Sequence, residues 1–115
     1  MSNHSIGAHF EGKEPQVKQI YEALLNNLSA LGEVKAVPKQ TSIHLDNNTG
    51  FAGVYTRRDY INLHFRLAEK VEHPRIAKVE QLSANRFKHT IQLNAESDVD
   101  EQLLEWLKKA YELAG

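Results

Sequence analysis

The sequence predicts an α+β fold: a two-layer sandwich in α-β5-α order, with a mostly antiparallel sheet and both helices on one face. Three observations carry this expectation. Helical periodicity opens and closes the chain, and everything between alternates with a period of two. At 115 residues, with 41% apolar and 25% charged side chains, the chain has the size and composition of one globular domain. Nothing along it reads as a linker, repeat or low-complexity tract, so the expected division is an N-terminal arm at residues 1–14 and a single domain at 15–115.

Phe10 is the one apolar residue expected to anchor the arm. From Pro15 onward, Val17, Ile20, Tyr21, Leu24, Leu28 and Leu31 fall three and four residues apart, which draws a single stripe along an α-helix. Pro15 suits the first turn, where its missing N–H would have no partner anyway. Gly32 supplies the stop, because glycine reaches left-handed backbone angles without strain.

The period then shortens. Val34–Val37 reads as a short strand ended by Pro38, which lacks a ladder donor. Thr41–Leu45 alternates, and Asp46-Asn47-Asn48-Thr49-Gly50 is a dense turn signal. Phe51–Thr56 and Tyr60–Leu67 follow as strands; in the second, Ile61, Leu63, Phe65 and Leu67 face one way and Tyr60, Asn62, His64 and Arg66 the other. After a polar connection over Glu69–Pro74, Ala77–Leu82 and Phe87–Leu93 are joined by a turn at Ala84-Asn85-Arg86. Ser97 is expected to cap the closing helix, with Asp98 and Asp100 in or near its first turn and Val99, Leu103, Trp106, Leu107, Ala110 and Tyr111 as its buried stripe. Two amphipathic helices and a sheet with one apolar face are satisfied together when both helices cover that face, which leaves the other face open.

Turn lengths decide which residues reach the open face. A four-residue turn over Asn47–Gly50 pairs Asp46 with Phe51, Leu45 with Ala52, His44 with Gly53 and Ile43 with Val54. An even connection from Thr56 to Ile61 pairs Val54 with Leu63, Gly53 with His64 and Tyr55 with Asn62. Both turns send the same apolar set inward, so the open face receives His44, Gly53 and His64 in one row, surrounded by Phe51, Tyr55, Tyr60, Asn62 and Arg66. A three-residue turn before Ile61 would instead bury Phe51 and Tyr55. In the even register the two imidazoles stand roughly 10 Å apart, two strand spacings. That is too far for one metal ion, whose bonds to nitrogen are about 2 Å. The gap suits a planar or anionic group lying over Gly53. The candidate ligand-binding residues are therefore His44, Phe51, Gly53, Tyr55, Asn62, His64 and Arg66.

Composition excludes several functions. Cys is absent, which removes disulfides and thiolate chemistry and fits a cytoplasmic setting. No apolar run could cross a bilayer, and Met1–Ser5 lacks the order of a secretory signal, so no membrane partner is expected. The six histidines form no HxH, HxxxH or HExxH spacing, and phosphate-loop, dinucleotide and GxSxG motifs are missing, so neither catalysis nor a cofactor is expected. His89 shares parity with Phe87 and Ile91 and reads as a satisfied histidine at the core margin, while His4 and His73 read as exposed. Net charge is −1, yet residues 35–94 hold ten Lys/Arg against five Asp/Glu. Arg57, Arg58, Arg66, Arg75, Arg86 and Lys88, beside Phe51, Tyr55 and Tyr60, are the types found on single-strand nucleic-acid platforms, although no RNP-like motif accompanies them.

Several segments resemble a known family. His9-Phe10, Phe51-Ala52-Gly53-Val54, Arg57-Arg58 before Tyr60, His73-Pro74-Arg75-Ile76, and Asp98-Val99-Asp100 with Trp106-Leu107 and Ala110-Tyr111 are similar to the bacterial domain of unknown function 5655, from about Ala8 to Ala114. The resemblance implies one intact domain and brings no established activity. The α-β5-α order also looks like that of the iron-associated frataxin-type fold, whose iron sites use an acidic ridge on the first helix; here that helix offers only Glu22 after Glu11 and Glu14. The expected function is a non-enzymatic binding or accessory module that presents its open sheet face to an anionic small molecule, a nucleic-acid segment or a protein. The alternatives are an iron-handling protein of frataxin-like fold and a homodimer joined through Phe51, Tyr55 and Tyr60.

Overall fold

The computed structural model describes residues 5–115. His4 and the beginning of the expected arm lie outside the described residues. Two helices, α1 (Pro15–Leu28) and α2 (Glu101–Leu113), flank six strands: β1 (Lys35–Pro38), β2 (Ile43–Asp46), β3 (Gly50–Thr56), β4 (Ile61–Leu67), β5 (Ile76–Ser83) and β6 (Arg86–Leu93). The sheet has six strands, one for each of the six extended segments read between Val34 and Leu93 and one more than the α-β5-α order counts; the short Pro38-terminated segment pairs along the edge of β2. The strands lie in the order β1-β2-β3-β4-β6-β5, and every neighbouring pair is antiparallel. β6 returns beside β4 and leaves β5 at the far edge.

The alternating pattern does the work expected of it. Ile43, Leu45, Val54, Leu63, Phe65, Ile91 and Leu93 point to one side, where Val17, Ile20, Leu24 and Leu28 of α1 and Leu103, Trp106, Leu107 and Ala110 of α2 close over them. Burial of one large apolar side chain stabilises by roughly 1.5–3 kcal/mol, so this layer dominates the favourable side of folding. The result is a two-layer α+β arrangement with one face of the sheet uncovered by helix.

Both helix ends depart from expectation. α1 stops at Leu28, one turn before Leu31; Leu31 N–H bonds back to the Leu28 carbonyl at 2.9 Å, and Gly32 follows at φ 144°. A Cβ on Gly32 would stand 2.5 Å from the Tyr111 hydroxyl, which donates to the Glu33 carbonyl at 2.9 Å. Glycine is thus required twice over, by backbone angle and by the approach of α2. At the other helix Ser97 is not the cap, because residues 96–98 form a separate 3-10 turn. Asp100 caps α2 instead, accepting from Leu103 N–H at 3.0 Å. Asp98 holds the chain just before it, accepting from the N–H groups of Asn94 and Ala95 at 2.8 and 3.1 Å.

The segment before α1 is tied to the sheet. His9 donates from Nε2 to the Lys39 carbonyl, Thr56 Oγ1 donates to the His9 carbonyl, and Glu14 N–H donates to the Arg58 carbonyl. Phe10 packs on Tyr21 with ring centres 5.2 Å apart, and Ile6 joins it against the core, so Phe10 is not the only anchor.

Candidate functional site

The central register agrees with the even turn count. His44 pairs with Gly53 and Gly53 with His64, which sets the two imidazoles in one row across β2, β3 and β4. Tyr55 pairs with Asn62, and the row continues from His64 to Thr90 of β6 and Lys78 of β5. His44, Tyr55, Asn62 and His64 are half-buried on the open face and Arg66 is exposed there.

Phe51 is the correction. Asp46 pairs with Gly50 rather than Phe51, because a β-bulge falls at the start of β3. The extra residue reverses the facing of Phe51, whose side chain is 1% exposed and meets Tyr111 edge-on with ring centres 5.4 Å apart. The cause lies in the β2–β3 turn. Asn47 Nδ2 donates to the Tyr111 carbonyl at 3.0 Å and Thr49 N–H donates to the Ala114 carbonyl at 3.2 Å. These carbonyls belong to the last turn of α2 and to its C-cap, so the turn ties down the helix end and draws Phe51 beneath it. With Phe51 in the core, the aromatic surface invoked for self-association shrinks to Tyr55 and Tyr60, both half-buried.

The space over Gly53 is also not vacant. The Tyr55 ring leans across it and lies against His64, with ring centres 4.5 Å apart and 32° between planes. A cavity of about 200 Å³ opens beside this pair, lined by His44, Tyr55, His64, Arg66 and Lys88, with Gly50 and Gly53 in its floor. Five of the seven expected site residues therefore surround one space: His44, Gly53, Tyr55, His64 and Arg66. Asn62 stands one row away, and Phe51 is beneath the sheet.

Lys88 is the residue that sequence reasoning did not place at the site. It pairs with Arg66 because β6, not β5, is the neighbour of β4. Its parity within Phe87–Leu93 was legible, but the strand order that brings it alongside Arg66 was not. Of the other cations, Arg75 belongs to the helix layer. Its guanidinium grips both Asp100 carboxylate oxygens at 2.8 and 2.9 Å and the Asp98 carbonyl at 2.8 Å, fastening the β4–β5 connection to the start of α2. Burial raises the Asp100 pKa, but the Arg75 and Leu103 N–H bonds outweigh it and hold the carboxyl below the usual carboxylate range. His73, expected to be exposed, is half-buried, with its ring edge-on to Trp106 at 5.1 Å.

The cavity lining carries two basic side chains, Arg66 and Lys88, and two imidazoles. Burial, then the nearby Lys88 charge, push the His64 pKa below its ordinary value, with Glu80 opposing and Arg57 and Lys78 adding to the effect. That direction favours the neutral imidazole at pH 7. Glu80 sits 3.1 Å from Lys78 in an exposed contact worth little in water, and 3.6 Å from the less exposed Lys88, part of whose charge it offsets. Among the described residues, neither Arg66 nor Arg86 is paired with a carboxylate, and no three His, Cys, Asp or Glu side chains converge as a metal site. No described helix is long and apolar enough to cross a membrane.

Fold and site together define a small two-layer α+β domain whose antiparallel sheet displays a cation-lined cavity on its uncovered face. The chain belongs to the family described as a domain of unknown function, DUF5655, whose model matches residues 6–114. No curated protein and no solved structure matches it.

Proposed function

We propose that the domain binds a small anionic ligand on the open sheet face, in the cavity bounded by His44, His64, Arg66 and Lys88. The observation that carries this reading is the sign of the walls: two permanent cations and two imidazoles border about 200 Å³, and no carboxylate does. Arg66 supplies a planar fork able to meet two oxygens of one anion, Lys88 a point charge beside it, and the two imidazoles N–H donors from the adjoining row. Negative charge in the cavity raises the His64 pKa, so binding takes up a proton.

Calorimetric titration with inorganic sulfate and inorganic phosphate tests the proposal. Sulfate keeps its charge of −2 across the relevant range, so a rise in its affinity as pH falls below neutrality reports proton uptake by the protein and not by the anion. Arg66→Ala should weaken both anions by about tenfold or more, the loss of a charge-assisted hydrogen bond. His64→Gln should flatten the pH dependence of sulfate binding. Affinities unchanged by both variants would overturn the reading. A single-stranded oligonucleotide that binds where neither inorganic anion does would favour a nucleic-acid partner instead.

A further inference from the structure

A second cavity, of about 160 Å³, adjoins the first: Gly50 and Arg66 line both. Its character differs. Leu82, Leu113, Ala110 and the buried Phe51 supply the apolar part of its lining, and Thr49, Ser83, Arg66 and Arg86 the polar part. Leu82 is the one large apolar side chain exposed among the described residues, at 47%. It lies near the end of β5, beside the irregular pairing between Gln81 and Ser83, and it borders this cavity.

Resting on the anion-binding reading above, we infer that the ligand is an anion bearing a single ring, or an apolar group of that size, and that Arg66 is the hinge between its two parts. The charged group sits among Arg66, Lys88 and His64; the ring enters the second cavity between Leu82 and Leu113. Size allows a ring, since the volume of about 160 Å³ is close to the roughly 150 Å³ that holds one benzene. Chemistry supports an apolar group, because a leucine left in water at the rim gains stability only when something apolar covers it. The bulge that buries Phe51 belongs to the same construction: it turns an aromatic side chain from the first cavity into a wall of the second.

Titration with phenyl phosphate beside inorganic phosphate decides the matter. Phenyl phosphate should bind about tenfold more tightly, the gain from withdrawing a good part of one ring from water. Leu82→Ser should remove most of that gain and leave inorganic phosphate unchanged; with Leu82 already half exposed, the substitution spares the core. Arg66→Ala should weaken both probes. Equal affinities for the two probes, both lost in Arg66→Ala, would overturn the ring and leave the anion site standing. Failure of both probes to bind would overturn both.

Discussion

His89 lies wholly inside the protein, and its environment predicts how stability responds to acid. Its ring is 0% exposed and stacks on Phe65 at 5.4 Å with 7° between planes. Val71 N–H donates to Nε2 at 2.9 Å, and Nδ1–H donates to the Phe87 carbonyl at 3.1 Å. Those two bonds require the neutral ring protonated on Nδ1. Protonating Nε2 would set N–H against N–H and bury a charge. Burial accordingly holds the His89 pKa below its ordinary value, with the backbone bonds to Phe87 and Phe65 opposing. In the unfolded chain a histidine titrates near 6.5. Below about that pH the unfolded state binds a proton that the folded state refuses, so stability present at neutral pH falls as pH drops, by up to about 1.4 kcal/mol per pH unit. The fall ends once the folded ring titrates as well. His89→Leu keeps apolar volume but leaves Val71 N–H unpaired and loses the stacked ring, which should cost about 2–4 kcal/mol at neutral pH. It should also remove the acid slope that His89 causes. His64 is the second histidine with a lowered pKa, so the comparison belongs in a His64→Gln background. Trp106, 5% exposed and 6.0 Å from Phe65, reports unfolding by its fluorescence in urea at about pH 7.5 and about pH 5. A His89→Leu protein as stable as its parent at neutral pH, or one that keeps the parent's acid slope, would refute this account.

Two further substitutions test the local geometry. Gly32→Ala should cost about 1–3 kcal/mol, since the residue sits at φ 144° and the added methyl would meet the Tyr111 hydroxyl; in a Tyr111→Phe background the cost should shrink, and a denaturant double-mutant cycle showing strict additivity would contradict the contact. Phe51→Ala should cost about 3–5 kcal/mol, as a buried aromatic does, whereas Tyr55→Ala on the open face should cost under about 1 kcal/mol. Equal losses at the two positions would mean that the bulge does not turn Phe51 inward.

Much of this molecule was readable before any coordinates, because it depends on near neighbours in the chain. The stripe from Val17 to Leu28, the alternation from Ile61 to Leu67 and the turn residues Asp46–Gly50 are local patterns, and side-chain alternation converts turn length directly into facing. That arithmetic was enough to align His44, Gly53 and His64. It could not foresee the bulge, since the pull on Phe51 comes from α2 carbonyls more than sixty residues away in sequence. Nor could it place Lys88 beside Arg66: β5 and β6 form a hairpin whichever of them meets β4, and only packing of the whole sheet chooses β6. Short-range periodicity set the elements, the inward faces of all but Phe51 and the central histidine row. Tertiary structure alone decided which aromatic stayed on the open face, which cations converge there and that two cavities meet at Arg66, because each depends on contacts between segments far apart along the chain.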